Sequence, residues 1–330
     1  MMSAPVERKV AGRAAQSSTG KANLLSPVPT CVPDLSVVIV TWNSREFINE
    51  CLDAVYSVAS SLQIEILVID NASSDGGADL VRQHYPDVKL TVNGENLGCS
   101  AAFNQGLRES RGRYVQILCP DTIAQPGAFQ EMITFLDAHP NTGAVGPKLT
   151  YPDGRPQPSC RTFPTYTIFA WEFLGVSRLL PRHPVFGRWR MGDFDHATVR
   201  EVDQPRGSSL MVRRAVIEQV GLWDEELEMF FNDVDWCRRM KDYGWKIHFL
   251  PSAWMVHYGG SSVKKIRPRM ILVSHRCCFR YFRKYGQGFS GKIGAAVLGL
   301  ALLLSAAVRF VVAHVITRYE RSGTDQSVGM

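Results

Sequence analysis

Residues 35–42 read LSVVIVTW, and residues 64–70 read IEILVID. Each is a short, nearly unbroken apolar run rich in β-branched residues, the pattern of a strand buried on both faces. Between them, roughly Ser44 to Ser60, apolar side chains recur at helical spacing. The alternation continues outward. NASSDGG (71–77) ends the second strand, and a helix runs to about His84. VKLTVN (88–93) is a third strand, and GENLGCSAAFNQGLRESRG (94–112) is a loop entering a helix. YVQILCPD (114–121) is a fourth strand, followed by a fourth helix in QPGAFQEMITFLDAHP. Four strand–helix alternations predict an α/β fold with a mostly parallel central sheet flanked by helices.

In such sheets ligands bind beyond the C-terminal strand ends. That edge carries Thr41, Asn43, Asp70, Asn71, Asp75, Asn96 and Asp121. Neither GxGxxG after the first strand nor GxxxxGK[ST] is present. Carboxylates and amides replace the phosphate-cradling glycines, which disfavours a nicotinamide dehydrogenase or a P-loop kinase.

From Tyr151 to about Arg200 the pattern loosens into Pro- and aromatic-rich sequence, including SCRTFPTY and PRHPVFGRWRMGDF. GSSLMVRR (207–214) restores a strand, AVIEQVGLWDEE a short helix, and 244–262 holds another strand ending at His257. Between them, MFFNDVDWCRR (229–239) sets Asp233 and Asp235 two apart among aromatics. A carboxylate in such a setting is paired, metal-bound or employed in proton transfer. Alternatively, Asp233 caps a helix beginning near Val234, with Arg238 and Arg239 as partners. These residues alone leave both readings open.

The formal net charge of +6 is unevenly distributed. Lys264 to Met330 holds twelve Lys or Arg against Glu320 and Asp325, a local +10, and the stretch from 35 to 263 carries about −6 by difference. A nucleic-acid footprint needs a basic face on the folded domain, so no nucleic-acid partner is expected. Eight cysteines at 31, 51, 99, 119, 160, 237, 277 and 278 form no CxxC pair and no zinc spacing with histidine. Residues 1–34 lack a secretory apolar core and read as a disordered tail. At the other end, the basic segment IRPRMILVSHRCCFRYFRKYGQGFSGK precedes sixteen uncharged residues, 293–308, then Arg309 and FVVAHVIT. A sixteen-residue helix covers about 24 Å, short of the ~30 Å hydrocarbon core. It therefore spans only if the second run is added, or else lies in the interface beneath the basic segment. Either way, the α/β domain is expected on the cytoplasmic face of the membrane.

Seven segments in order (VVIVTWNS, VIDNASSDGG, ENLGCSAAFNQG, LCPDT, GSSLMVRR, FFNDVDWCRR and VHYGGSS) give a series that resembles the inverting glycosyltransferases of family 2, which have the GT-A fold. It is most similar to their bacterial rhamnosyltransferase-like branch, and the resemblance covers about residues 35–285. It implies one GT-A domain over 35–262, with a nucleotide-sugar half (35–150) and an acceptor and catalytic half (151–262), then a membrane-associating region over 263–330. It assigns Asp70 to the base of a nucleotide sugar, with Thr41, Asn43, Asn71 and Asp75 around base and ribose, and Asn96, Gly98 and Asn104 in the following loop and helix. It makes Asp121 and His257 ligands of a divalent cation, Mg²⁺ or Mn²⁺, and Asp233 the catalytic base.

Two positions depart from the family pattern. Cys119 stands where the first acid of a DxD motif is expected, and Asn232 replaces the Glu of a Glu-Asp pair. The implied partners are a nucleotide-diphosphate sugar donor, with dTDP-rhamnose a candidate, and a polyprenyl-diphosphate-linked saccharide acceptor in cell-envelope polysaccharide assembly. Cys119 and Asn232 also admit a catalytically silent, membrane-bound scaffold. A sugar nucleotidyltransferase would want a Gly-rich basic loop, which TWNSREF does not supply.

Overall fold

A computed structural model describes residues 32–59, 61–259, 267–286 and 291–307. The first half runs β1 (Leu35–Thr41), α1 (Arg45–Val58), β2 (Ile64–Asp70), α2 (Gly77–His84), β3 (Lys89–Val92), α3 (Cys99–Glu109), β4 (Tyr114–Leu118), β5 (Thr122–Ala124) and α4 (Ala128–Ala138). The second half holds β6 (Thr142–Thr150), β7 (Pro156–Gln157), β8 (Cys160–Arg161), α5 (Tyr166–Phe173), α6 (Val176–Leu179), β9 (Arg200–Glu201), β10 (Gln204–Pro205) and β11 (Ser209–Arg213). It continues through α7 (Arg214–Val220), α8 (Asn232–Asp242), β12 (Lys246–His257) and α9 (Arg267–Tyr285), and a further helix covers 291–307.

The strands of the main sheet lie in the order β3-β2-β1-β4-β11-β6-β12-β5. β3, β2, β1 and β4 are mutually parallel, as their buried, unalternating sequences require. Side chains of β1 divide between two cores. Leu35, Val37 and Ile39 pack against Ile48, Cys51, Leu52 and Val55 of α1, whereas Val38 packs with Phe103 and Leu107 of α3. The spacing of the α1 residues puts them on one helical stripe.

Beyond β4 the sheet is mixed, which corrects the expectation of a mostly parallel one. β11 runs antiparallel to both β4 and β6, β12 is parallel to β6, and β5 returns antiparallel on β12. The central strand β6 was not expected from its sequence, TGAVGPKLT. Its glycines answer to crowding rather than strand propensity, since a Cβ on Gly146 would come within 2.3 Å of Pro205.

α9 packs against the second half through Cys277, Cys278, Tyr281 and Phe282, which share a core with Leu227 and Val234. Three of its basic side chains bond to that half. Arg276 pairs with Glu228, Arg280 donates to the Glu226 carbonyl, and Lys284 pairs with Asp224 and Asp235. Among the described residues no helix is long and apolar enough to cross a membrane. The tail expected over 1–34 falls outside the described residues up to Cys31, as does the apolar run 310–317.

Candidate active site

Thr41 and Asp70 end adjacent parallel strands in register, and both are buried. Asp70 Oδ1 accepts from the Ser73 N–H at 2.9 Å, while its Oδ2 is buried without a hydrogen-bond partner among the described residues. An acceptor left in that state costs about 1–3 kcal/mol, so it suits an incoming N–H donor. Asn43 Oδ1 accepts from the Ser74 N–H at 2.8 Å. Asp75 serves two helix starts, accepting from the N–H of Arg45 at 2.8 Å and of Gly77 at 3.0 Å. Asn71 spends its amide on the next loop. Its Oδ1 accepts from Leu97 N–H, and its Nδ2 donates to Asn96 Oδ1 and the Gly98 carbonyl. Gly98 adopts φ +87° there, a region glycine enters without strain.

These seven residues therefore form one connected rim at the strand ends. Asn104 stands apart from it. It is buried on α3, where Nδ2 donates to the Trp223 carbonyl and Oδ1 accepts from the Trp223 N–H, both near 3 Å.

Asp121 lies in the turn between β4 and β5, and β5 pairs with β12 so that Thr122 faces His257. This brings Asp121 Oδ1 to 3.5 Å from His257 Nε2, both residues buried. The tautomer of His257 follows from its neighbour. Arg206 Nη1, which can only donate, fixes Gln157 Oε1 as an acceptor, and Gln157 Nε2 donates to the His257 carbonyl. His257 Nδ1, 2.6 Å from that same Oε1, must then carry the hydrogen. In the neutral imidazole, Nε2 then turns its lone pair toward a carboxylate oxygen. Two electron pairs so placed repel unless a proton or a cation lies between them, and a histidine that donates from its other nitrogen is the usual form of a metal ligand. The pair thus fits a divalent cation. Among the described residues no group of three or more His, Cys, Asp or Glu could hold one by itself, so a ligand's oxygens would complete the shell. Cys119, where the first acid of a DxD motif was expected, is pushed well above the ordinary thiol range by burial, then by Asp121, and adds no charge.

Asp233 occupies the first turn of α8, entered through Phe231 in the left-handed conformation at φ 62°. Such a non-glycine residue costs on the order of 1–3 kcal/mol and persists only where its surroundings hold it. The Phe231 ring packs on Tyr281 of α9 with centroids 5.4 Å apart. Asp233 Oδ2 accepts from Gln204 Nε2 at 2.8 Å and from the Gly207 N–H at 2.9 Å, and Oδ1 accepts from the Val234 N–H. Desolvation nevertheless outweighs these donors and the nearby Arg206, and raises its pKa above the usual aspartate value. A carboxylate so tuned takes up a proton more readily than an exposed one. Neighbouring Asn232 is tied down, with Nδ2 donating to Ser100 Oγ at 3.0 Å.

Asp235 has a different task from Asp233. Fully buried, it accepts from Tyr285 Oη at 2.7 Å and Arg239 Nε at 2.9 Å and pairs with Lys284. Arg238 lies over the Tyr285 ring. The sequence reading missed Gln157, Gln204 and Gly207, which position His257 and Asp233. No local pattern marks Gln157 and Gln204, since β7 and β10 are two residues long, whereas Gly207 opens the GSSLMVRR segment without its role being read from it.

Residues 36–195 match the family model described as glycosyl transferase family 2. The chain is 29% identical over 266 residues to the N-acetylglucosaminyl-diphospho-decaprenol L-rhamnosyltransferase of Mycobacterium tuberculosis, covering 77% of this chain and 86% of that one. Its fold is similar to that of the mannosyltransferase PcManGT from Pyrobaculum calidifontis in complex with GDP-Man and Mn²⁺, with TM-score 0.52, 19% identity and coverage of 91% and 84%. It is also similar to GalNAc-T7 with UDP, GalNAc and Mn²⁺, with TM-score 0.53, 15% identity and coverage of 68% and 43%. Residues 36–195 are thus a glycosyl transferase family 2 domain, and the chain that carries them is a glycosyltransferase with a GT-A-like α/β fold.

Proposed function

We propose that the protein transfers a sugar, with inversion, from a nucleotide-diphosphate donor to a polyprenyl-diphosphate-linked saccharide in cell-envelope polysaccharide synthesis. Rhamnose is the sugar favoured by the similarity to the mycobacterial rhamnosyltransferase. The observation that carries the reading is Asp233, a carboxylate of raised pKa oriented by Gln204 and Gly207 on the same polar surface as His257. Asp233 accepts the proton of an acceptor hydroxyl as that oxygen attacks the anomeric carbon, and a single in-line displacement inverts the centre. The buried Oδ2 of Asp70 supports its role toward a base N–H, with Thr41, Asn43, Asn71, Asp75, Asn96 and Gly98 shaping that rim. Asp121 and His257 would hold Mg²⁺ or Mn²⁺, a cation that when bound neutralises charge developing on a departing diphosphate.

Attachment to the cytoplasmic face of the membrane is supported by the helix over 291–307. Ile293, Val297, Leu300 and Leu304 lie on one of its faces and are each at least half exposed, while Leu298 and Leu302 on another pack toward α9. An exposed apolar stripe of this kind suits an interfacial helix. The test is release of nucleoside diphosphate from a panel of nucleotide sugars, with Mg²⁺, Mn²⁺ or chelator, and with or without a lipid-linked glycan. Release stimulated by the acceptor from one donor, and abolished by chelator, is expected. Release from no donor would refute the reading.

A further inference from the structure

One polar surface joins the histidine to the base and runs past it. β8 and β10 pair antiparallel with Gln204 opposite Arg161 and Pro205 opposite Cys160, and the Arg206 N–H extends the ladder to the Ser159 carbonyl at 2.8 Å. Side chains alternate across a strand. Cys160 and Pro205, both buried, therefore share one face, and Ser159, Arg161, Gln204 and Arg206 share the other. That second face is turned toward Asp233, because Gln204 donates to its carboxylate. Along it, Arg206 lies on the side of Gln157 and His257, and Arg161 lies one ladder step farther from them.

The guanidinium groups there are unequally matched. Arg190 is bound to Glu172 through both Nε and Nη2. Arg161 forms no ion pair among the described residues. Its Nη1 donates to the carbonyls of Cys160 at 2.7 Å and Pro158 at 3.4 Å, and its guanidinium carbon lies 5.9 Å from the Trp189 ring centroid. Burial, then repulsion from Arg206 and Arg190, lowers its pKa to about 10. Holding a half-buried guanidinium against two others is unfavourable by itself, and an anion placed among them relieves the repulsion.

We propose that Arg161, with Trp189 beside it, binds a phosphate group of the acceptor while the acceptor's hydroxyl is presented to Asp233. The inference rests on the transferase reading above. It assigns Arg206, beside Gln157 and His257, to the donor side and Arg161, opposite the Gln204 that binds Asp233, to the acceptor side, because in an in-line displacement the leaving diphosphate and the nucleophile with its base lie on opposite sides of the anomeric carbon.

The experiment uses the full chain and two acceptors carrying the same glycan, one on a lipid diphosphate and one on a neutral alkyl chain. Charge-assisted hydrogen bonds to phosphate correspond to roughly ten- to hundredfold in affinity. Arg161→Gln should therefore raise KM for the diphosphate acceptor by about tenfold or more, with kcat and donor KM little changed. It should also erase the wild-type preference for that acceptor. Arg161→Lys, which keeps the charge, should recover part of the effect and guards against misfolding of the first variant. Equal wild-type use of both acceptors, equal loss on both in the variant, or a rise confined to donor KM would each overturn the assignment while leaving the transferase reading intact. Wild-type protein that binds donor yet transfers to neither acceptor would overturn both.

Discussion

A methyl group added at Gly207 would test how finely the base is positioned. The new Cβ would lie 2.9 Å from Asp233 Cβ and 3.2 Å from its Oδ2. Ordinary contact begins near 3.4 Å, so the carboxylate would have to retreat by roughly 0.5 Å. Gly207 is not in a positive-φ conformation, so alanine carries no backbone strain and the effect falls on Asp233. Retreat lengthens the hydrogen bonds from Gly207 N–H and Gln204 Nε2, each worth about 1.5–3 kcal/mol to a charged acceptor. Misplacement by about 1 Å costs on the order of a hundredfold in rate, so Gly207→Ala should lower kcat by roughly ten- to hundredfold. Donor KM should hold, and the acid limb of the pH–rate profile should move to higher pH as the carboxylate loses donors. Steady-state kinetics across pH, with a melting curve as control for folding, decide the matter. A kcat and an acid limb both equal to wild type would refute the reasoning.

Other expectations follow from the same geometry. The raised pKa of Asp233 means kcat/KM should fall with decreasing pH through a midpoint above the ordinary aspartate value, read from a pH–rate profile. The same shift has a stability sign. A carboxyl whose folded pKa is raised favours folding below its unfolded pKa, and that contribution is lost as pH rises through the folded value. The Tm of Asp233→Asn should therefore shift in the variant's favour relative to wild type over that rise. Asp235→Ala should destabilise by about 3–5 kcal/mol in urea unfolding, since it strands Arg239 and Lys284 beside a buried site. Gln157→Leu removes the acceptor that orients His257, and should raise the Mn²⁺ concentration giving half-maximal activity by roughly ten- to hundredfold.

The parallel half of the sheet was legible because each strand is buried on both faces and declares itself by composition. IEILVID marks β2 to the residue, and LSVVIVTW overruns β1 by Trp42 alone. β6 was hidden for the opposite reason: Gly143, Gly146 and Pro147 are set by what packs against the strand, and such crowding leaves no periodic signature. The antiparallel entry of β11 depends on a long excursion through 151–208, which strand periodicity does not encode. The same division holds at the site. Thr41, Asp70 and Asp121 fall at strand ends, where topology alone directs attention. Asp233 and His257 stood out through the ordered motifs around them. Gln157 and Gln204 are placed by long-range pairing of two-residue strands, and nothing local marks them. Asn104 shows the converse. It sits in a strong motif, yet its amide is spent on the backbone of Trp223.

The central claim is that Asp233 takes the proton from the acceptor hydroxyl. Its most direct test is single-turnover transfer by Asp233→Asn, with donor affinity measured in parallel by titration. The account predicts donor binding within about twofold of wild type and transfer slowed by roughly 10²–10⁴-fold, with the wild-type product inverted at the anomeric carbon. Transfer by Asp233→Asn at a rate near wild type, or a wild-type product of retained configuration, would contradict it.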